Sequence, residues 1–478
     1  LGWLSTIDFT LVMRTLLYCL TILSLSACGS LKKSQQQRIN SAYEARTEAS
    51  RPAGAPQPQQ ARPAAAPSGT SAPTRPVDVP AAAPTVADRL SGWSVTSIKG
   101  KFLSLDSTTL HIVLDLTAQM PEGGLPSPAQ FAEHFQVAYV MYPDYNNRER
   151  LAYGNIPLGE QLLKQQGNHL TLSFDIKRPA NRTDLANAVL LTEVTEIASG
   201  NKARNDLPLR FRNLRLSDRF TLTNTTGQAI ELRNYVNVGD TVRISDLANT
   251  KKTLYGVRYR HDFDAASSPM NTSPRPAAKS LVIDSTLTIT TNQPFTLPRE
   301  GLYYFTEDTT ADNGIGLVVA DKRFPKMTRP EKLIRPVLYM STSSEINEMT
   351  QAQDTKKALD RYWLSLMSGN EETARRTIRA YYDRVEDANR LFTTYKEGWK
   401  TDKGMIYIVL GPPDRIQRNR EREVWVYNRR PNVSEINFTF TKKPNQFVED
   451  HYELVRFMEY QPVWYPIVEA WRTGAIRE

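Results

Sequence analysis

Alternation of apolar and polar residues with period two governs the chain from Trp93 to about residue 328. Leu103, Leu105, Leu110, Ile112, Leu114 and Leu116 alternate around Asp106-Ser107-Thr108, which predicts two strands joined by a turn. Phe135 to Tyr142 and Leu170 to Ile176 continue the pattern, and strands so spaced predict an Ig-like β-sandwich over 89–216. A second sandwich is expected over 217–328, from Phe220–Leu222, Thr241–Ile244, Leu254–Tyr259, Leu281–Ile283 and Leu302–Phe305. Asp312-Asn313-Gly314 ahead of Ile315–Val319 is a hairpin-turn signal. Ser267 to Ala278, with three prolines, predicts an exposed loop.

Past a connector at 329–353 the period changes. Ala358, Leu359, Tyr362, Trp363 and Leu366 fall at helical spacing behind Asp354 as N-cap, and Gly369 ends the run. Asn370 caps a second helix with buried stripe Ala374, Ile378, Tyr381, Tyr382, Val385 and Ala388. After Gly398 the pattern predicts strands at Gly404–Leu410, Val424–Tyr427, Ile436–Phe440 and Phe447–Val455. Trp464, Ile467, Val468 and Trp471 predict a closing helix with Pro466 in its first turn. Residues 354–478 therefore read as an α+β domain, helices packed on an antiparallel sheet. The fold class expected is multidomain and mainly β: two sandwiches, then this domain.

The first ninety residues have a different character. Met13-Arg14, the apolar run Thr15 to Leu25, and the small residues Ser26 and Ala27 have the order of a secretory signal. The run is shorter than the roughly 20 residues of a spanning helix. Leu25-Ser26-Ala27-Cys28 resembles the lipobox of bacterial lipoproteins, which implies cleavage before Cys28 and acylation of its thiol. Residues 1–12 then read as an extension ahead of a Met13 start, and 13–27 as the signal. The other cysteine, Cys19, would be removed, so no disulfide is expected in the mature chain. Gly29 and Ser30 after the cysteine, with Lys32-Lys33 beyond, imply sorting to the outer membrane on its periplasmic side. From 28 to 88 the chain is rich in Pro, Ala and Gln and has few large apolar residues, which predicts a disordered tether.

Gly398-Trp399-Lys400-Thr401-Asp402 resembles the signature of the GWxTD-domain proteins, bacterial envelope lipoproteins of the Bacteroidota type. Gly411-Pro412-Pro413-Asp414 and the Trp425 strand give the matching context. The resemblance implies no catalytic residue. Physically the motif suits a corner: Gly398 at positive φ ending the helix, Trp399 as an apolar wedge whose indole N–H needs an acceptor, and Thr401 and Asp402 bonding a tight turn before a strand. The competing reading has Trp399 and Asp402 lining a partner groove. The Gly-Pro-Pro-Asp turn and Trp strand also resemble, locally, the small lipoprotein subunit of the outer-membrane barrel-assembly machinery.

With 478 residues and a net charge of +9, the chain suits an acidic protein, acidic glycan or anionic lipid; nucleic acid is not expected. Arg415, Arg418, Arg420 and Arg422, then Arg429-Arg430, form a basic run with Glu421 and Glu423 interspersed. It reads as a solvated hairpin, or, through Arg418, Arg420 and Arg422, as a docking face. His111, His134, His169, His261 and His451 lack metal-ligand spacing, and no nucleophile elbow or phosphate loop is present. No catalytic residue, metal or cofactor is expected. The leading reading is a non-catalytic, outer-membrane-anchored scaffold or accessory subunit in envelope assembly or secretion. The alternatives are a glycan- or peptidoglycan-binding module, using aromatics such as Tyr142, Tyr145 and Trp464, and a hydrolase with dispersed carboxylates.

Overall fold

The computed structural model describes residues 92–227, 229–260, 262–273, 280–310, 313–428 and 435–476. The expected extension, signal, Cys28 and tether lie outside the described residues, as do His261, Asp312, Arg429 and Arg430. All described residues belong to the unit Ala82–Glu478.

The first lobe begins with the predicted hairpin, β1 (Ser94–Ser104) and β2 (Thr109–Gln119). Asp106 closes it by accepting the backbone N–H groups of Thr108 and Thr109 at 2.6 and 2.8 Å. There follow α1 (Pro128–His134), β3 (Phe135–Tyr142), β4 (Ala152–Ile156), β5 (Leu163–Gln166), β6 (His169–Lys177), β7 (Asn187–Glu196) and β8 (Lys202–Arg210). Two four-stranded antiparallel sheets result, ordered β1-β2-β6-β5 and β4-β3-β7-β8. Ile112, Leu114 and Leu172 of one and Val137, Leu190 and Leu209 of the other share a single core. Period-two patterning leads to this arrangement because only alternate residues need face that core.

The second lobe comprises α2 (Leu216–Arg219), β9 (Thr221–Thr223), β10 (Tyr235–Asn237), β11 (Thr241–Ser245), β12 (Thr253–Tyr259), β13 (Ile283–Thr290), β14 (Phe295–Thr296), β15 (Gly301–Thr306) and β16 (Ile315–Ala320). Its sheets run β10-β16-β15-β12-β13 and β14-β11-β9, with β10 and β16 parallel and the other pairs antiparallel. In β15 and β16 successive residues are buried rather than alternate ones. One face meets Leu222 and Ile244, while the other lies beneath Phe324 and Phe447, so both faces are dry.

The C-terminal region carries the helices: α3 (Pro330–Leu333), α4 (Ser343–Gln351), α5 (Thr355–Leu366), α6 (Glu371–Phe392), α7 (Asp402–Leu410) and α8 (Gln461–Arg472). An antiparallel sheet, β17 (Arg415–Arg418), β18 (Arg422–Tyr427), β19 (Ile436–Lys442) and β20 (Tyr452–Leu454), packs with them in one core around Trp363, Trp399, Trp425 and Trp471. The predicted caps are made: Asp354 accepts the Lys357 N–H at 3.0 Å and Asn370 that of Thr373 at 2.9 Å. The chain is thus mainly β with antiparallel sheets and a helical C-terminal region.

Five local expectations are corrected. Residues 404–410 are helix, not strand: Thr401 caps α7, and Met405, Ile406, Ile408 and Val409 are wholly buried, so the run has no polar face to reveal its period. Of the expected strand Phe447–Val455, only Tyr452–Leu454 pairs, and the strand placed at Leu281 starts at Ile283. Pro466 lies inside α8, whose first turn holds Pro462. The loop from Ser267 is exposed only in part where it is described: Ser268 and Asn271, Thr272 and Ser273 are exposed, while Pro269 and Met270 are buried and Met270 enters the C-terminal core. Among the described residues no helix is long and apolar enough to cross a membrane.

Candidate functional site

The signature residues form a buried corner between α6 and α7. Gly398 is not left-handed, so the expected positive φ is corrected; what it supplies is close approach. A Cβ there would sit 1.9 Å from the Ala388 carbonyl oxygen of α6, and one on Gly404 would sit 1.9 Å from that of Gly398. The Gly398 N–H donates to Thr393 Oγ1 at 2.9 Å and the Trp399 N–H to Asn389 Oδ1 at 3.0 Å. Tyr339 Oη donates to the Trp399 carbonyl at 2.7 Å. The Trp399 ring is buried, and its indole N–H finds no acceptor among the described residues. Arg335 and Lys400 lie 5.5 and 5.4 Å from its ring centroid, and both pair with Asp262, at 2.8 and 2.7 Å. Thr401 accepts the Gly404 N–H at 3.0 Å and donates to the Gly398 carbonyl at 2.7 Å. It is a helix cap, where a turn before a strand was expected.

Asp402 is buried. Its carboxylate accepts the Leu454 N–H of β20 at 2.7 Å and meets Arg456 at 2.6 Å. Arg456 also donates to the carbonyls of Ser267 and Ser268 at 3.3 and 3.2 Å, which ties the second lobe's loop to the corner. Gly411, at φ +84°, ends α7, and its carbonyl accepts Tyr427 Oη at 2.9 Å.

A second network links the C-terminal sheet to the first lobe. Buried Trp425 donates its indole N–H to Glu423 at 2.6 Å. Glu423 also takes Lys403 and Arg418, each at 2.9 Å. Burial pushes the Glu423 carboxyl up, but Lys403, Arg418 and the Trp425 bond outweigh it and hold it at about 2. Arg418 continues to Asp206 of β8 at 2.9 Å, and Asp206 accepts Tyr145 Oη at 2.6 Å. Of the docking candidates, Arg418 is therefore engaged within the chain, while Arg420 and Arg422 are exposed at the hairpin tip. Of the aromatic candidates, Trp464 is buried in the core and offers no platform, Tyr145 is held by Asp206, and Tyr142 is half-buried.

Between the lobes lies a cleft of about 2010 Å³, lined by β1, β8, the loop after β3, α2, β16 and the C-terminal sheet. Fourteen lysines and arginines line it against eight aspartates and glutamates. Thr401, Pro412, Arg418 and Trp425 reach its wall, whereas Gly398, Trp399, Asp402 and Gly411 do not. Most of its arginines are already paired: Arg210 with Asp218 and Glu449 at 2.7 and 2.6 Å, Arg215 with Glu449 at 2.7 Å. Lys99 and Lys101 of β1 differ, because they donate to neutral oxygens, Arg390 O at 2.7 Å and Thr221 Oγ1 at 2.8 Å. Burial pushes both ammonium groups down to about 8. The pair is not singled out by the sequence alone; its signal is two lysines at alternate positions of one strand. Among the described residues no group of three His, Cys, Asp or Glu is placed to hold a metal ion.

No curated protein matches the chain. Residues 301–473, from the first residue of β15 to just past α8, match the family model of the GWxTD domain, and the corner at 398–402 carries every letter of that signature: the chain is a GWxTD domain-containing protein.

Proposed function

We propose that the chain is a non-catalytic scaffold or accessory subunit for envelope or outer-membrane protein assembly, held by lipid at Cys28 on the periplasmic side of the outer membrane. In this reading the β lobes are two Ig-like sandwiches, carried on the tether of 28–88, and the body presents its cleft to a protein partner. One observation carries it. Ion pairs and hydrogen bonds cross from lobe to lobe around the cleft: Arg418 to Asp206, Arg210 to Glu449, and Lys99 to the Arg390 carbonyl. A cleft so braced is a preorganised binding surface, which keeps the ordering cost of association low. Its positive lining favours an acidic partner. The glycan reading has lost Trp464 as a stacking platform and is the weaker one.

The test has two arms. Mass analysis of the mature N-terminus from cells should find an acylated Cys28. A photo-crosslinking residue placed at Asn147, exposed on the cleft rim, should capture an envelope protein. An unlipidated N-terminus elsewhere, or capture of cell-wall glycan alone, would overturn the proposal.

A further inference from the structure

A sheet edge carries unpaired backbone N–H and C=O groups, and this chain protects most of its own. β1 and β8 are long edge strands that lie against each other, with Asn205 and Leu207 of β8 packed at Gly100. The edge strands β4, β5, β9, β10, β14, β17 and β20 run five residues or fewer. β13 differs. It has eight residues and is the outer strand of its sheet, and β12 is the one element that packs closely on it among the described residues. Ser285 to Thr290 include no lysine, arginine or proline, the residues that ordinarily block such an edge.

The ladder with β12 fixes which backbone groups are free. The Thr291 N–H donates to the Lys252 carbonyl at 2.8 Å, and Ile289, Leu287 and Ser285 follow in the same register opposite Leu254, Gly256 and Arg258. In an antiparallel pair alternate residues bond to the neighbour, so Thr286 and Thr288 turn their N–H and C=O groups to the open edge. Among the described residues no hydrogen bond reaches those groups. Thr286 and Thr288 are exposed, while Ile289 is buried and Leu287 packs at the margin of the second lobe's core. The strand's one charge is drawn off the edge: the register slips at Asp284, and its carboxylate pairs with buried Arg258.

We propose that β13 pairs with β13 of a second copy of this chain, antiparallel about a two-fold axis, so that the five-stranded sheets of the two copies join edge to edge. The two strands would lie about 4.8 Å apart. With Leu287 facing its counterpart on the axis, Thr286 of each copy exchanges both backbone bonds with Thr288 of the other. Threonine meets threonine on one face. On the other face the two Leu287 side chains cover each other and continue the apolar row that Ile289 begins. A two-fold interface must be self-complementary, and this strand presents no unpaired charge to repel its copy. The same neutrality argues against a charged peptide as the occupant. A single strand pair is a small interface, so a dissociation constant at about the micromolar level is expected. The inference stands apart from the scaffold reading, which holds for monomer and dimer alike.

Sedimentation velocity on the full chain, from about 1 μM to about 1 mM, should show the mass doubling as concentration rises. Over the same range amide hydrogen exchange should slow at Thr286 and Thr288, whose N–H groups face the open edge. Thr286→Lys/Thr288→Lys sets like charges opposite one another across the axis and should weaken the dimer by about tenfold. Mixed with Thr286→Glu/Thr288→Glu, the lysine variant should form a heterodimer at least as tight as the wild-type dimer, a rescue that misfolding of either variant could not give. A monomer at every concentration, a dimer untouched by the lysine variant, or no rescue on mixing would each overturn the proposal. Slowed exchange at Thr286 and Thr288 on adding a peptide of alternating threonine and leucine, without self-association of the chain, would assign the edge to another protein's strand and overturn it as well.

Discussion

Removal of the Asp402 carboxylate tests whether the signature is a folding element. In Asp402→Ala the Arg456 guanidinium, whose side chain is 10% exposed, keeps its charge and loses the carboxylate it pairs with. The Leu454 N–H loses its acceptor as well. Breaking one side of a buried ion pair destabilises by about 3–5 kcal/mol. Arg456 retains the carbonyls of Leu454, Ser267 and Ser268, so about 3 kcal/mol is expected. Asp402→Asn, which can still accept from Leu454, should lose about 2 kcal/mol. Adding Arg456→Met to Asp402→Ala should give back part of the loss, with a coupling energy of about 1–3 kcal/mol. Urea unfolding followed by tryptophan fluorescence is the assay, since Trp363, Trp399, Trp425, Trp464 and Trp471 all sit in this one core. A loss below about 0.5 kcal/mol for Asp402→Ala, in the range of an ordinary surface substitution, would refute the structural account of the motif.

The other predictions probe neighbouring contacts. Gly398→Ala forces a Cβ against the Ala388 carbonyl at 1.9 Å, backbone against backbone, and should destabilise the C-terminal region by more than about 4 kcal/mol; limited proteolysis of that region checks it. Thr401→Ala removes the α7 cap and should lose about 1 kcal/mol in the same urea assay. Glu423, held at about 2 against an ordinary 4.5, stays ionised in the folded chain where the unfolded chain has taken up a proton. Its contribution is therefore full above pH 4.5 and falls away as pH drops toward 2, and it amounts to about 3 kcal/mol at neutral pH. Glu423→Gln should flatten the acid limb of a stability-against-pH curve across that window; an unchanged limb would count against the network.

How far the sequence could be read depended on whether a segment has two unlike faces. In β6 one face meets a core and the other does not, so alternation is visible. The caps Asp354 and Asn370 marked α5 and α6 because a helix start imposes a local chemical requirement. Helix α7 has no polar face at all and was read as a strand; Thr401 as a cap was the one available clue. Charges misled for the complementary reason. Arg418 stands in register with Glu423, and both point inward to Asp206, Lys403 and Trp425, a fact fixed by strand pairing and invisible in a linear run of arginines. Lys99 and Lys101 do not stand out in the sequence because the elements that hold them, α6 and β9, are more than a hundred residues away in the chain.

Two kinds of basic residue divide the cleft. Arginine presents a rigid planar fork that matches a carboxylate, and here Arg210, Arg215 and Arg418 are matched to carboxylates of the chain itself. Those pairs join lobe to lobe, so their charge is already balanced where they stand. Lysine presents a compact charge on a flexible stem, and Lys99 and Lys101 make only single bonds to neutral oxygens. The arginines thus brace the walls of the cleft against one another. The signature corner belongs with the arginines in this division, because Gly398, Trp399 and Asp402 lie off the cleft and serve to join α6, α7 and β20. A motif of that kind identifies the frame of the C-terminal region.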